Sequence, residues 1–302
     1  MNESPPGIYQ ITGFILFSFF PSFCFLQNTC AVVRSPVYPE ETRAGLEMEL
    51  ENARKSYERD TANADLLIWY GRRLAYLGRY EEAIEVFSKG MLLYPWDARL
   101  YRHRGHRYIT VRCFDRAVSD LEYAAGLVRG HKDEMEPDGL PNARNIPTST
   151  LQSNIWYHLG LAYFLKGDYE KAVKAYTSCL EVSGNPDMYV ATANWLYISL
   201  RRLNRDQEAA KLMNTIEPGM DLIENRDYLD ILLLYKGEKS EADFGDRANS
   251  LSNASLLFGL GNYYLTMEEF VKAKDIFTKI VSGNQWASFA YIAAGETLKE
   301  LK

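Results

Sequence analysis

The residues with the clearest capacity for chemistry are His103, His106 and His158, in a chain of 302 residues that has four histidines in all. His103 and His106 are three positions apart, so on a helix they share one face. With His158 they would supply three imidazoles, and a zinc site needs three or four ligands and usually a supporting carboxylate. None of the signatures HExxH, GxSxG, GxGxxG or a Walker loop occurs in the sequence. A metal-binding protein or hydrolase that uses these histidines is therefore the alternative hypothesis, and neither enzyme activity nor a cofactor is predicted.

The segments that hold these histidines repeat one pattern of apolar, small and turn residues about every 34 positions. Two copies follow each other without a gap, Ala64–Asp97 and Ala98–His131, and a third begins near Ser153. In each copy the apolar residues recur at intervals of three and four, which is typical of amphipathic helices. No alternating strand pattern of useful length occurs. A period of this length indicates a stacked array of helical units.

The repeated residues resemble the tetratricopeptide repeat (TPR), a helix-turn-helix unit with the signature W-x2-L-G-x2-Y…A-x3-F…P. The likeness is closest in the third copy, where WYHLGLAY starts at Trp156 and GDYEKAVKAY starts at Gly167. A fifth copy contains Gly261 and Phe277, whereas the fourth has Tyr197 where glycine is expected. The resemblance implies an all-α fold, a TPR helix-turn-helix solenoid with N- and C-terminal capping helices.

This interpretation divides the chain into eight parts. They are a signal peptide or other leader over 1–31, a linker and capping helix over 32–63, TPR repeats 1 and 2 over 64–131, an irregular insertion over 132–152, TPR repeats 3 and 4 over 153–222, a degenerate repeat over 223–253, TPR repeat 5 over 254–287 and a C-terminal capping helix over 288–302.

In TPR arrays the first helix of each unit lines a concave groove, so the resemblance also places a set of polar and aromatic residues there. The predicted peptide-binding groove contains Trp69, Arg72, Tyr76, Arg99, Arg102, His103, His106, Tyr157, His158, Asn194, Trp195, Arg201 and Arg202. Arginine offers a planar fork of donors that suits carboxylates. We therefore expect a protein-interaction scaffold that binds an acidic or C-terminal polypeptide segment. The alternative is that these are solvated side chains; under either interpretation they lie outside the core, and their substitution should leave stability unchanged.

Composition limits the classes of partner. Of all residues, 47% are hydrophobic and 25% charged, which is ordinary for a globular chain, and the net charge is −6. An acidic balance argues against a nucleic-acid binder, so the predicted partner is a protein or peptide. Four cysteines do not indicate a disulfide framework in a chain of this length. Cys179 is expected to be buried and Cys113 to lie near a turn. The oligomeric state is left open.

The first thirty residues differ in kind from the rest. Ile11–Leu26 is apolar and uncharged, shorter than the roughly 20 residues of a membrane span and of the right length for a secretory signal. A cut after Ala31 would satisfy the small-residue rule, which favours an exported protein, periplasmic or extracellular. Three alternatives stay open: a cytoplasmic protein that starts at Met48, a retained anchor, and lipid attachment at Cys30, for which the preceding residues are a poor match.

The insertion over 132–152 contains three prolines. Loops longer than about 12–15 residues are uncommon in compact domains and are often functional. A tolerated surface insertion is the alternative. Because apolar residues are scattered among its polar ones, we expect the insertion to pack partly on the solenoid.

Overall fold

A computed structural model describes Met1 and residues 30–31, 34–249 and 253–301. This part of the chain forms thirteen α-helices, a 3-10 segment over Glu241–Asn249 and one isolated antiparallel bridge between Met135 and Thr150. The helices are α1 Glu40–Arg59, α2 Ala64–Tyr76, α3 Tyr80–Leu93, α4 Ala98–Thr110, α5 Phe114–Leu127, α6 Leu151–Leu165, α7 Tyr169–Val182, α8 Pro186–Arg202, α9 Asp206–Met213, α10 Arg226–Lys236, α11 Ala254–Thr266, α12 Phe270–Ser282 and α13 Phe289–Glu300. The apolar run Ile11–Leu26 lies outside the described residues.

Consecutive helices pack against each other all the way from α1 to α13. The first helix of each unit also contacts the first helix of the next, so α2, α4, α6 and α8 form a continuous inner row. The predicted all-helical solenoid is confirmed. No helix of the described residues combines the length and the apolar character that crossing a bilayer requires.

Glycines at the repeat signature allow the two helices of a unit to pack closely. A Cβ added at Gly71 would come within 2.5 Å of the Phe87 ring, and one at Gly160 within 2.6 Å of the Tyr176 ring. Both rings are fully buried and come from the second helix of the same unit. The glycine and aromatic positions of the sequence pattern therefore form one contact.

Two repeats depart from the standard unit. Tyr197, which replaces the signature glycine in the fourth repeat, stacks on Tyr235 of α10 with ring centres 4.5 Å apart. In the degenerate repeat a 3-10 segment follows α10 in place of a second α-helix, and it is broken at Gly245, where φ is +51°. The second helix is thus shortened, as its sequence indicates.

A disulfide joins Cys30 to Cys113, in the turn between α4 and α5. The amide of Ala31 also donates to the carbonyl of Val111, over 2.9 Å. The sequence did not predict this pairing, because the two cysteines are 83 positions apart and a single pair leaves no spacing pattern. Cys179 is buried with a free thiol, as expected.

Helix α13 packs on a helix of another repeat as well as on the last repeat. Besides α12, α13 packs on α11 and on α6 of the third repeat. Just before α13, Trp286 accepts a hydrogen bond at its carbonyl from Arg112, whose guanidinium lies 3.7 Å from the centre of the Trp286 indole. The end of the chain therefore returns to the second repeat.

Candidate binding face

The insertion over 132–152 crosses the inner face of the solenoid. Its two limbs pair with each other: the amide of Glu136 donates to the Ser149 carbonyl over 3.2 Å, and that of Leu151 to the Glu134 carbonyl over 2.8 Å. This pairing fixes the first limb beside α4 and α6. We call residues 134–140 the covering segment.

Glu136 is the central contact of the covering segment. Its carboxylate lies 3.0 Å from a guanidinium nitrogen of Arg102, and it accepts a second hydrogen bond from the Asn154 amide over 3.1 Å. Arg102 and Glu136 are only 7% and 8% exposed. Because desolvation of two charges offsets much of their attraction, the pair contributes little net stability. Loss of one partner, however, leaves the other as a buried charge without a counterpart.

The backbone of the covering segment is held by α2. Arg72 donates to the carbonyl of Pro137 over 2.8 Å, and Arg73 donates to that of Gly139 over 3.0 Å. A Cβ at Gly139 would lie 1.7 Å from the hydroxyl of Tyr76. Side chains of α2 thus bind an extended stretch of polypeptide through its main-chain carbonyls and a close approach to glycine.

The other end of the insertion is fixed to the region after α9. Arg144 forms two hydrogen bonds of 3.0 Å with the carboxylate of Asp221. Thr148 donates to Glu224 over 2.6 Å, and its carbonyl accepts from Asn185 over 2.7 Å. The expectation that the insertion packs on the solenoid is confirmed.

The histidines lie further along the inner face and are buried or partly buried. The rings of His106 and His158 are 4.3 Å apart, and Phe289 of α13 packs against both, at 5.2 and 5.5 Å. Burial, and after it the charge of neighbouring arginines, lowers the pKa of His103, His106 and His158 well below the usual range. All three are therefore neutral at pH 7.

The hydrogen bonds of these rings indicate their tautomers. Nδ1 of His103 accepts from Arg102 over 2.9 Å, whereas Nδ1 of His158 lies 2.6 Å from the carbonyl of Asn154, to which it donates. Among the described residues no three His, Cys, Asp or Glu side chains are arranged to hold a metal ion. The arrangement gives the alternative hypothesis no support.

Besides Arg102 and His103, four more residues that were predicted to face the groove are buried. Trp195, Asn194, Tyr157 and His158 are at most 8% exposed. Trp195 packs edge-on against Phe164 and donates through its indole N–H to the Tyr157 hydroxyl over 2.8 Å. The interpretation of these four as open groove surface is wrong, because α11 and α13 cover the inner face at this level.

The remaining predicted residues are divided among three places. Six of them lie under or beside the covering segment: Trp69, Arg72, Tyr76, Arg102, His103 and His106. Arg99 instead pairs with Asp97 and Asp65, each over 2.6 Å. Arg202 pairs with Glu300 of α13 over 3.1 Å, and Arg201 lies 3.4 Å from Asp206. The structure therefore does not bring the thirteen residues together in one groove.

Sequence reasoning missed Glu136, Arg73 and Arg107 as residues of this face. The signal that could have identified Glu136 is charge complementarity. The covering segment carries Glu134, Glu136 and Asp138 at alternate positions, and the groove predicted from the first helices is rich in arginine.

Comparison with known proteins agrees with this architecture. A family model described as "Tetratricopeptide repeat" matches residues 153–186, the third repeat. The chain is 28% identical over 137 residues to BBSome complex member BBS4 from Bos taurus, covering 45% of this chain and 22% of that protein. It is 22% identical over 245 residues to RNA polymerase II-associated protein 3 from Rattus norvegicus, covering 81% and 31%. The chain thus spans less than a third of the length of either relative.

Solved structures with a similar course of helices include YrrB, described as a TPR protein with an unusual peptide-binding site. It has a TM-score of 0.45 and 15% identity, covering 83% of this chain and 99% of that one. MamA has a TM-score of 0.44 and 17% identity, covering 67% of this chain and 90% of that one.

Proposed function

This chain is a tetratricopeptide repeat protein, of a kind that generally serves as a protein-interaction scaffold, and from that premise we propose that its inner face binds an acidic polypeptide segment. The observation that carries the proposal is the covering segment itself. Glu136, on an extended and acidic stretch, lies against Arg102 while Arg72 and Arg73 bind the neighbouring carbonyls. The chain thus already holds on this face a polypeptide of the proposed kind.

The proposal implies competition between the covering segment and a partner. Binding requires the segment to leave, so the apparent affinity is reduced by the fraction of molecules in which the face is open. The segment leaves without unfolding a helix, because it contributes one isolated bridge and a few side-chain contacts. A partner of higher affinity, or higher local concentration, displaces it.

A labelled peptide of sequence DEMEPDGL, which is residues 133–140, tests this directly. Fluorescence anisotropy should show weak binding to the full chain and binding at least tenfold tighter to Glu136→Gln, in which the internal competitor has lost its charged contact. Glu134→Gln is the matched control, since that side chain is exposed in the same segment.

Two results would contradict the proposal. One is equal affinity for the peptide and for a version with lysine in place of each acidic residue. The other is no binding to Glu136→Gln although its circular dichroism stays helical. Affinity should also fall with added salt, because the Debye length shrinks to about 8 Å at physiological ionic strength.

We further propose that the protein is exported and folds in an oxidising compartment. The disulfide between Cys30 and Cys113 supports this, since such bonds persist mainly outside the reducing cytosol. A cut after Ala31 would delete Cys30, so the disulfide requires any cleavage to fall before Cys30. Mass spectrometry of the native protein should find Cys30 retained and both thiols oxidised; a chain that starts at Val32 or Met48, or two free thiols, would refute the proposal.

A further inference from the structure

A small cavity lies beneath the covering segment, between α2, α3 and α4. Its volume is about 120 Å³, and its polar lining includes Arg72, Arg102, Arg107, Tyr76 and His106. A water molecule occupies roughly 30 Å³ in the liquid, so the cavity has room for about four waters or one group of comparable size.

The positive charges that line the cavity are not balanced by the described residues. Glu136, paired with Arg102, is the one carboxylate among them that forms an ion pair with any of the three arginines. Arg72 has only neutral acceptors, the Pro137 carbonyl and the Tyr76 hydroxyl. Asp138 of the covering segment also interacts electrostatically with Arg72. Three guanidiniums against the carboxylates of Glu136 and Asp138 leave a formal excess of +1 (3 − 2), because His103 and His106 are neutral.

Arg107 is partly buried and, unlike Arg72 and Arg102, has no polar partner among the described residues. Its guanidinium lies 5.9 Å from the centre of the Tyr80 ring and makes no hydrogen bond or ion pair with any described residue. Nε of Arg102 is likewise buried without a hydrogen-bond partner. Buried donors and charges are strongly unfavourable when they have no counterpart, so this lining is suited to a group that the chain does not supply.

The arginines remain charged near neutral pH. Burial lowers the pKa of Arg107 to about 10 and lowers that of Arg102 as well, in the latter case against the attraction of Glu136. With a pKa of about 10, Arg107 remains protonated around pH 7, and Arg102 is paired with a carboxylate.

We infer that this cavity is a binding site for a small tetrahedral oxyanion of the phosphate class. Guanidinium forks match the oxygens of such an anion in pairs, and its negative charge offsets the excess positive charge of the lining. The Tyr76 hydroxyl adds one more donor at the wall. This site shares Arg72 and Arg102 with the polypeptide contact, whereas Arg107 and His106 belong to the cavity and make no hydrogen bond or ion pair with the covering segment. The inference therefore does not require that the inner face bind a partner.

Inorganic phosphate is the first probe. The full chain, in a buffer free of oxyanions at pH 7.5, is titrated with phosphate by calorimetry and by thermal melting, with sodium chloride of equal ionic strength as the reference. We expect saturable binding of one phosphate and a melting temperature that rises with phosphate but not with chloride. An equal rise in both salts overturns the inference.

Arg107→Met tests the residue that carries the argument, since it keeps the length of the side chain and removes the charge. Phosphate affinity should fall at least tenfold, while the phosphate-free protein melts at the same or a higher temperature because a partly buried charge without a counterpart is gone. Arg205→Met is the matched control. Arg205 pairs with Glu208 and Glu170 away from the cavity, so its substitution should leave phosphate binding unchanged. Unchanged affinity in Arg107→Met overturns the inference; if that variant does not fold, Arg72→Gln takes its place.

Two further arms identify the source of the anion and separate this site from the polypeptide proposal. O-phosphoserine binding as tightly as phosphate would assign the site to a phosphoryl group on a larger molecule, and exclusion of phosphoserine would assign it to the free ion. Glu136→Gln should bind phosphate about tenfold more tightly, since the carboxylate paired with Arg102 is gone. Phosphate binding without capture of the DEMEPDGL peptide would refute the polypeptide proposal and leave this site standing.

Discussion

At the scale of single residues, the buried pair of Arg102 and Glu136 makes each side chain dependent on the other. The sequence predicts that groove arginines lie outside the core, so that replacing them leaves stability unchanged. For Arg102 that expectation is wrong, because the covering segment removes it from water. A partner that displaces the segment must therefore supply a carboxylate of its own or admit water to Arg102.

A double-mutant cycle measures this dependence. Glu136→Gln should destabilise the chain by about 3–5 kcal/mol, since it leaves a buried guanidinium unpaired, whereas Arg102→Met with Glu136→Gln should recover most of the loss. Urea unfolding followed by circular dichroism gives the free energies. Additive effects of the two substitutions would show that the pair is solvated rather than buried.

The three neutral histidines predict a dependence of stability on pH. Their pKa values are lowered in the folded chain, so the unfolded chain binds more protons as the pH falls below about 6.5. Stability is therefore complete above that pH and is lost as the pH falls through 6.5 towards 5. Each histidine contributes about 1.4 kcal/mol per pH unit in this range.

Thermal melts between pH 7.5 and 5 check the sign and size of this effect. His158→Gln should reduce the slope by about a third relative to the native chain, even though the substitution lowers stability at pH 7.5. The exposed His131 serves as the matched control, because His131→Gln removes an imidazole without disturbing the interior. A melting temperature that rises on acidification would contradict the burial of these rings in the folded state.

At the scale of helices, two glycine substitutions should have opposite effects. Gly160→Ala places a methyl group 2.6 Å from the Tyr176 ring and should cost about 1–3 kcal/mol through overpacking. Gly45→Ala, in the middle of α1 with nothing within 4 Å, should stabilise by about 0.5–1 kcal/mol through helix propensity. Chemical denaturation gives the free energy of unfolding of both variants. If Gly160→Ala raised it, the two helices of the unit would not pack closely there.

The helices could be predicted from the sequence because their determinants are local. Gly71 and Phe87, which are in contact, belong to one repeat unit, and the same pair of positions recurs in other repeats. The position of the covering segment could not be predicted from the sequence. Its contact between Glu136 and Arg102 joins residues 34 positions apart, and the loop between them has no repeating pattern from which its path could be inferred. Trp195 was misplaced for a related reason: its burial depends on Phe258 of α11, whose ring centre is 5.3 Å away.

At the scale of the whole molecule, the disulfide fixes the start of the described chain to the turn after α4. Linking Cys30 to Cys113 restricts the unfolded chain over a separation of 83 residues, for which loop entropy gives about 4–5 kcal/mol. Dithiothreitol should therefore lower the midpoint of urea unfolding. Cys113→Ser should show the lower midpoint without reductant and no further response to it, since the other described thiol, Cys179, is already free. An unaffected midpoint would mean that the bond contributes nothing to stability.

The contact between Trp286 and Arg112 has a consequence for how such a protein can change its length over evolution. An open helical array tolerates duplication of a unit, because each unit touches only its neighbours. Here the residues before α13 dock on the second repeat, so the number of units between them is fixed by the distance that they must span. One added repeat would carry Trp286 away from Arg112 and leave both without their partner. A related chain that gained or lost a repeat between these two sites would therefore lose the contact between Trp286 and Arg112.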